Sequence, residues 1–327
     1  MRLGILGTMV WDTIHGRDVR SEPFQEWGGI TYALAAADAA RPGGWTLVPI
    51  LKIGADLQEQ AFQFLRTLSG YDLESGITVV PEPNNRVELR YEPGLERRCE
   101  RLSGGVPPWT WSELAPILDR IDALYINFIS GFELDLDNAV KVRLGFHGPM
   151  YADLHSLMLG VDPSGLRIPQ PLLAWREWVR CFDAIQVNED ELGLLAASWG
   201  DPWRFAAEVV GDELKILLIT LGARGAAYVA SPAFTAAPMQ WRPRGLVVPP
   251  VAPRTGSESK KIPPGIAPAT GDPTGCGDVW GATCFCRLLA GDTLDQAMVA
   301  ANAAAARNVQ HRGATGLSHF LQGRIHS

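Results

Sequence analysis

Short, unbroken apolar runs recur along the chain with helix-like stretches between them: Leu3 to Leu6, Leu47 to Leu51, Ala123 to Asn127, Met150 to Leu154, Ala184 to Val187 and Ile216 to Thr220. A strand with one face in water alternates apolar and polar residues, whereas a strand covered on both faces stays apolar throughout. The runs therefore predict a doubly wound α/β fold, a mainly parallel sheet flanked by helices. Ligands of such sheets gather beyond the C-terminal ends of the strands. The residues that follow each run are thus the first candidates for chemistry.

Three stretches depart from this pattern. Asp12 to Trp27 is polar and lacks helical periodicity, while Val87-Glu88-Leu89-Arg90-Tyr91-Glu92 alternates strictly, as a half-exposed antiparallel strand does. The stretch 238–270 is rich in Pro and Gly and carries Arg254-Thr255-Gly256-Ser257-Glu258-Ser259-Lys260-Lys261. It fits no packed element, so a flexible segment is expected there. A last helix is predicted from about Asp292 to Gln310, opened by a Thr293/Gln296 capping box and stopped by Gly313.

Composition narrows the class. The chain has 327 residues, 46% hydrophobic and 20% charged, which suits one α/β domain spanning 1–327. A net charge of -7 without a basic stripe disfavours nucleic-acid and membrane-surface partners. Cys99, Cys181, Cys276, Cys284 and Cys286 are odd in number and contain no Cys-x-x-Cys pair, which argues for free thiols and against structural zinc or a disulfide framework. The chain enters its first strand directly, with no signal-type stretch and no apolar run long enough to span a bilayer. A cytoplasmic protein is expected.

The most informative segment is Gly271-Asp272-Pro273-Thr274-Gly275-Cys276-Gly277-Asp278, followed at once by a small-residue helix. Glycines on either side of one small residue let the backbone turn sharply, so that N–H groups converge ahead of a helix N-terminus, a spot that attracts anions. Asp278 would repel a phosphate there unless its task is to take a proton from an attacking hydroxyl. The bland alternative is an ordinary turn before a helix.

The string resembles the signature of the ribokinase-like, or PfkB, carbohydrate kinases, and further motifs follow in that family's order. Gly4-Ile5-Leu6-Gly7 with Asp12 resembles the first strand and its substrate-binding aspartate, and Gly28-Gly29 the glycine pair beside the substrate. Asn188-Glu189-Asp190-Glu191 carries Asn-x-x-Glu, and Thr220-Leu221-Gly222-Ala223-Arg224-Gly225 carries Thr-Leu-Gly-x-x-Gly. The resemblance implies an ATP-dependent kinase with a small β lid built from about 12–27 and 86–103. It assigns Asp278 as base and the Gly275, Cys276 and Gly277 amides as anion hole, with Asp12, Gly28 and Gly29 on the acceptor.

By the same resemblance Asn188, Thr220, Gly222, Gly225 and Asn302 meet the nucleotide, and Glu191 organises Mg2+ through water. Asp272, Thr274 and Gly313 match a monovalent-cation site, with K+ as the candidate. Lid-to-lid pairing makes a homodimer a candidate assembly. On residue chemistry alone, Asn188 and Glu191 equally make a helix cap, the glycines of Thr220 to Gly225 a plain strand-to-hairpin turn, and the alanines around Asn302 a close helix contact.

Toward the acceptor the chain departs from ribokinase. Ile30 and Ala33 stand near Gly28-Gly29 where ribokinase grips its sugar with polar residues, and Val10 precedes Asp12. Ribose is therefore not expected. A phosphorylated sugar lacks an Arg/Lys pair beside Gly28-Gly29, although Arg90, Arg97 and Arg98 in the lid keep it open. The first expectation is a kinase for a small sugar or sugar-like alcohol. The alternatives are a nucleoside kinase, with Trp11, Trp27 and Tyr32 facing a base, and a non-catalytic nucleotide- or sugar-binding sensor.

Overall fold

The sheet is unbrokenly apolar because its residues feed two cores in alternation. In the computed structural model, which describes residues 1–15, 23–91, 98–211, 213–241, 256–264 and 271–324, Leu3, Ile5, Tyr125 and Leu218 enter one core, while Leu6, Leu124, Ile126 and Leu217 enter the other. The strands are β1 (Arg2–Leu6), β2 (Met9–His15), β3 (Phe24–Gly29), β4 (Thr46–Gly54), β5 (Ile77–Val80), β6 (Arg86–Tyr91), β7 (Arg98–Ser103), β8 (Ala123–Asn127), β9 (Met150–Asp153), β10 (Leu159–Val161), β11 (Arg167–Pro169), β12 (Ala184–Asn188), β13 (Ile216–Thr220), β14 (Ala226–Ala230) and β15 (Glu258–Ile262). Helices α1 (Ile30–Ala40), α2 (Gln58–Leu65), α3 (Trp111–Leu118), α4 (Leu136–Gly145), α5 (Trp175–Arg180), α6 (Glu189–Leu195), α7 (Pro202–Val209), α8 (Cys276–Leu289), α9 (Leu294–Asn308) and α10 (Leu317–Leu321) complete the layers.

The nine-stranded sheet runs β15-β14-β13-β12-β9-β8-β1-β4-β5. Its strands from β13 through β5 pair in parallel, and only the β13–β14 and β14–β15 pairings are antiparallel, so β14 alone is reversed. The six apolar runs lie in these strands, save Leu154, which falls just past β9. Register aligns Asn127 with Asp153, Asp153 with Gln186, and Asn188 with Thr220. Their side chains therefore collect along the C-terminal edge of the sheet, as the parallel topology requires.

A separate sheet, ordered β3-β2-β6-β7, rises from that edge. Val10, Val87 and Leu89 form its small core, against which Ile129 of the β8 loop packs. The alternation at Val87 to Tyr91 thus reports a real strand, though with mixed neighbours: β6 pairs parallel to β2 and antiparallel to β7. Buried Asn84 anchors this sheet, bridging Gly54 N–H and the Met9 carbonyl at 3.0 Å each.

Two expectations need correction. Within 238–270, Pro238–Gln240 forms a single helical turn and Glu258–Ile262 forms the edge strand β15, paired to β14. Only Ile262 of that strand is buried, so no apolar period announces it, and its charged residues guard an open edge. Residues 242–255 and 265–270 lie outside the described residues. The helix predicted from Asp292 to Gln310 ends at Asn308, and α10 follows it, with Phe320 buried beneath the Arg307 guanidinium at 4.6 Å.

Among the described residues all five cysteines are free, and no helix is long and apolar enough to cross a membrane.

Candidate active site

The Gly275 turn is built by steric necessity. Gly275 has φ +75, and a Cβ there would sit 2.3 Å from the Tyr32 ring, so only glycine lets the backbone turn against that ring. The Cys276 N–H closes the turn on the Pro273 carbonyl at 3.1 Å. Of the N–H groups expected to face an anion, those of Gly275 and Gly277 therefore remain, and that of Cys276 does not. The Cys276 thiol is pushed up to about 11, chiefly by burial, and stays neutral.

Three polar contacts fix the start of α8. Gln186 of β12 donates to the Gly277 carbonyl at 3.0 Å and to Asp153 at 2.9 Å. Asn308 donates to the Thr274 carbonyl at 2.8 Å. Asn127, fully buried at the end of β8, donates from Nδ2 to Asp278 Oδ1 at 2.7 Å. A carboxylate on the first turn of a helix, oriented by a sheet amide and partly open to solvent, is suited to accept a proton.

Asp12 and Asp278 both act on Tyr32. In the lid Asp12 pairs with Glu26, and a Cβ on Gly28 would fall 1.8 Å from its Oδ2. The absent side chain at Gly28 makes room for that carboxylate. Tyr32 joins the two halves of the site: burial first, then the charges of Asp12, Asp272, Glu26 and Asp278, raise its phenol far above its usual range. Trp27 and Tyr32 are both buried, with Trp27 edge-on to Trp11 at 5.0 Å. Of the three aromatics suggested for a base, only Trp11 retains an open face.

At the start of α6 the cap reading of Asn188 and Glu191 is realised. Asn188 Oδ1 accepts from Glu191 N at 2.9 Å, and Glu191 accepts from Asn188 N and Nδ2, both at 2.7 Å. His155 adds a third contact to Glu191 at 2.8 Å. Burial disfavours charge on this imidazole, yet the Glu191 hydrogen bond and the nearby carboxylates raise it to about 10, so it is an imidazolium at neutral pH. Burial, then the charge of Glu191, pushes the Asp153 carboxyl well above the usual carboxylate range.

Thr220 ends β13, and Gly222 and Gly225 turn with φ +57 and +89. Gly225 is needed where β15 ends, since its Cβ would meet the Ile262 carbonyl at 2.3 Å. Beside this turn a cavity of about 310 Å³ is lined by Arg224, Lys261, Pro263 and Pro264. Asn302 is engaged within the protein. It accepts from Trp280 Nε1 and donates to the Pro263 carbonyl, both at 2.7 Å, tying α8 and α9 to the end of β15.

For a metal, Glu191 accepts three hydrogen bonds of the roughly four a carboxylate offers, leaving one position suited to a metal-bound water. Among the described residues no group of three or more His, Cys, Asp and Glu could hold an ion by itself. That donor set fits magnesium carried mainly by phosphates. Asp272 Oδ1 accepts from Thr274 N at 2.9 Å. Gly313, with φ +76, makes way for Glu26, whose Oε1 accepts from Thr315 N at 2.9 Å.

The family model described as pfkB family carbohydrate kinase matches residues 158–319, which include the turn, α8 and both the Asn188–Glu191 and Thr220–Gly225 strings. The chain belongs to the PfkB carbohydrate kinase family. No curated protein sequence matches it. Solved structures share the PfkB fold over nearly the whole chain. A pyrophosphate-dependent kinase in the ribokinase family has 18% identity and a TM-score of 0.73, covering 99% of this chain and 100% of its own. Ribokinase from Thermotoga maritima has 16% and 0.67, with 98% of each chain covered. The Burkholderia thailandensis nucleoside kinase in complex with inosine has 16% and 0.66, covering 97% and 94%.

Asn127, Gln186 and Glu26 have no counterpart among the motifs read from the sequence. Asn127 closes an apolar run and reads as a strand end. The register with Asp153 is what brings it to Asp278.

Proposed function

We propose that this PfkB-family protein transfers the γ-phosphate of ATP to a hydroxyl of a small sugar-like alcohol, with Asp278 as the base. The observation that carries the reading is the placement of Asp278 on the first turn of α8, directly after Gly277 and held by Asn127. A binding module has no use for an oriented base in an anion-attracting turn, which weighs against the sensor.

When bound, magnesium-ATP supplies the phosphoryl group and neutralises its charge. The chain's own residues do the rest. Asp12 accepts hydrogen bonds from acceptor hydroxyls, Asp278 takes the proton of the attacking hydroxyl, and the Gly275 and Gly277 amides face the transferred group. Glu191 orients metal-bound water, while Gly222 and Gly225 let the donor approach the backbone. Asn302 has both amide ends in use, so its contribution is to hold the wall of the donor cavity.

Pyrophosphate is the second donor reading. Arg224 and Lys261 at the cavity suit a phosphate chain with or without a base, and one structural relative uses pyrophosphate. A screen of free sugars, cyclic polyols, sugar acids, sugar phosphates and nucleosides with magnesium, run once with ATP and once with pyrophosphate, tests both. Turnover of a sugar-like alcohol with ATP is expected. Selective phosphorylation of nucleosides would replace the acceptor assignment, and turnover with pyrophosphate alone would replace the donor.

A further inference from the structure

Arg167 of β11 has only 7% of its surface exposed, yet most of its hydrogen-bonding capacity is unused. Nη1 donates to the Ser130 carbonyl at 2.7 Å, while Nε and Nη2 have no partner among the described residues. A guanidinium withdrawn from water with donors left over is costly. Burial pulls its pKa down, and Glu100 and Glu133 supply the charge that opposes this. Neither donor finds either carboxylate. Glu133 is committed elsewhere: Oε1 accepts from Thr8 Oγ1 at 2.7 Å and Ser130 N at 2.6 Å, and Oε2 from Gly131 N at 3.0 Å.

The unused atoms are not a random pair. Nε–H and one Nη2–H lie parallel along a single edge of the guanidinium, the fork that matches both oxygens of a carboxylate or two oxygens of a phosphate. The turned-away Nη1 is the atom spent on protein.

Through its bond to Ser130, Arg167 adjoins the loop that follows β8. Ser130 follows Asn127, the residue that holds Asp278, by three positions. Ile129 between them bounds Gly29, where a Cβ would fall 2.7 Å from its Cγ2. The hairpin that carries Arg167 is joined to the lid: Leu102 N donates to the Gly165 carbonyl at 2.8 Å, and Arg101 reaches Ser164 Oγ at 2.8 Å. Arg167 therefore stands between the loop beneath the acceptor and the strand above it.

We propose that Arg167 sets acceptor specificity, its Nε/Nη2 edge gripping an oxyanion on the hydroxylated acceptor, so that the preferred acceptor is an acidic sugar-like compound. The proposal rests on the kinase reading and narrows its substrate class.

The test compares matched acceptors, aldonates and sugar monophosphates against the corresponding neutral alditols and sugars, in wild type and Arg167→Gln. Wild type is expected to favour an anionic acceptor by about 10²-fold or more in kcat/KM, since a site with buried donors rejects ligands that cannot pair them. Arg167→Gln should collapse that ratio toward one, mainly through KM. The aldonate and phosphate arms identify which oxyanion is read. If Arg167→Gln does not fold, Arg167→Lys keeps the charge but loses the fork and should still lower the ratio. Neutral acceptors leading the panel, or a variant that lowers both classes equally, would overturn the proposal and leave the kinase reading intact. If no acceptor of any class is phosphorylated, the kinase reading fails, and calorimetry with the same aldonates and sugar phosphates decides the subsite. Binding lost in Arg167→Gln supports it, and no anion binding by wild type overturns it.

Discussion

Asn127 at the end of β8 and Asp278 on the first turn of α8, 151 residues apart, meet at 2.7 Å. The amide holds the carboxylate in one orientation. Asn127→Ala should therefore lower kcat by about 10-fold or more with donor KM changed only a few-fold, because orientation of a base is felt in the chemical step. Steady-state kinetics with the identified acceptor checks this, and equal losses in donor and acceptor KM at unchanged kcat would argue against an orienting role.

Gly28→Ala places a methyl group where Asp12 Oδ2 now sits, at 1.8 Å. The carboxylate must rotate away. Acceptor KM should rise by about 10-fold, with a melting temperature close to wild type, since the atom displaced belongs to the end of a side chain. Unchanged acceptor KM would remove Asp12 from acceptor binding.

Asn302→Ala strands the buried Trp280 Nε1–H and frees the Pro263 carbonyl. A loss of about 1–3 kcal/mol in unfolding free energy is expected, measured by denaturant titration. A variant of normal stability with a strongly raised ATP KM would return Asn302 to direct nucleotide contact.

The His155–Glu191 pair makes stability depend on pH in a defined direction. The folded-state pKa of His155 is about 10 against an ordinary 6.5. Its contribution is therefore full below about pH 6.5 and lost as pH rises through about 10. The melting-temperature advantage of wild type over His155→Gln should shrink across that window. An advantage that grows with pH would show that the imidazole is held neutral.

The parallel sheet was legible because each core strand is covered on both faces, leaving runs such as Ile216 to Thr220 without a polar residue until the end. The anion turn was legible for a different reason: a local string, Gly275 to Asp278, carries its geometry in adjacent residues. Asn127 and Gln186 were not, since their meaning arises only when register sets β8, β9 and β12 side by side. Arg167 was illegible too. Its sequence neighbours Leu166 and Ile168 carry no signal of a site, and its unpaired guanidinium edge arises only through burial beside the β8 loop and the lid. The strand β15 hid because a single residue, Ile262, faces the core.

Turnover by Asp278→Asn, with the acceptor identified in the screen and saturating magnesium-donor, tests the base most directly. The amide keeps the size and cannot take the proton, so kcat should fall by about 10²-fold or more while donor affinity stays within a few-fold of wild type. Turnover near wild type would contradict Asp278 as the base, and with it the proposed mechanism.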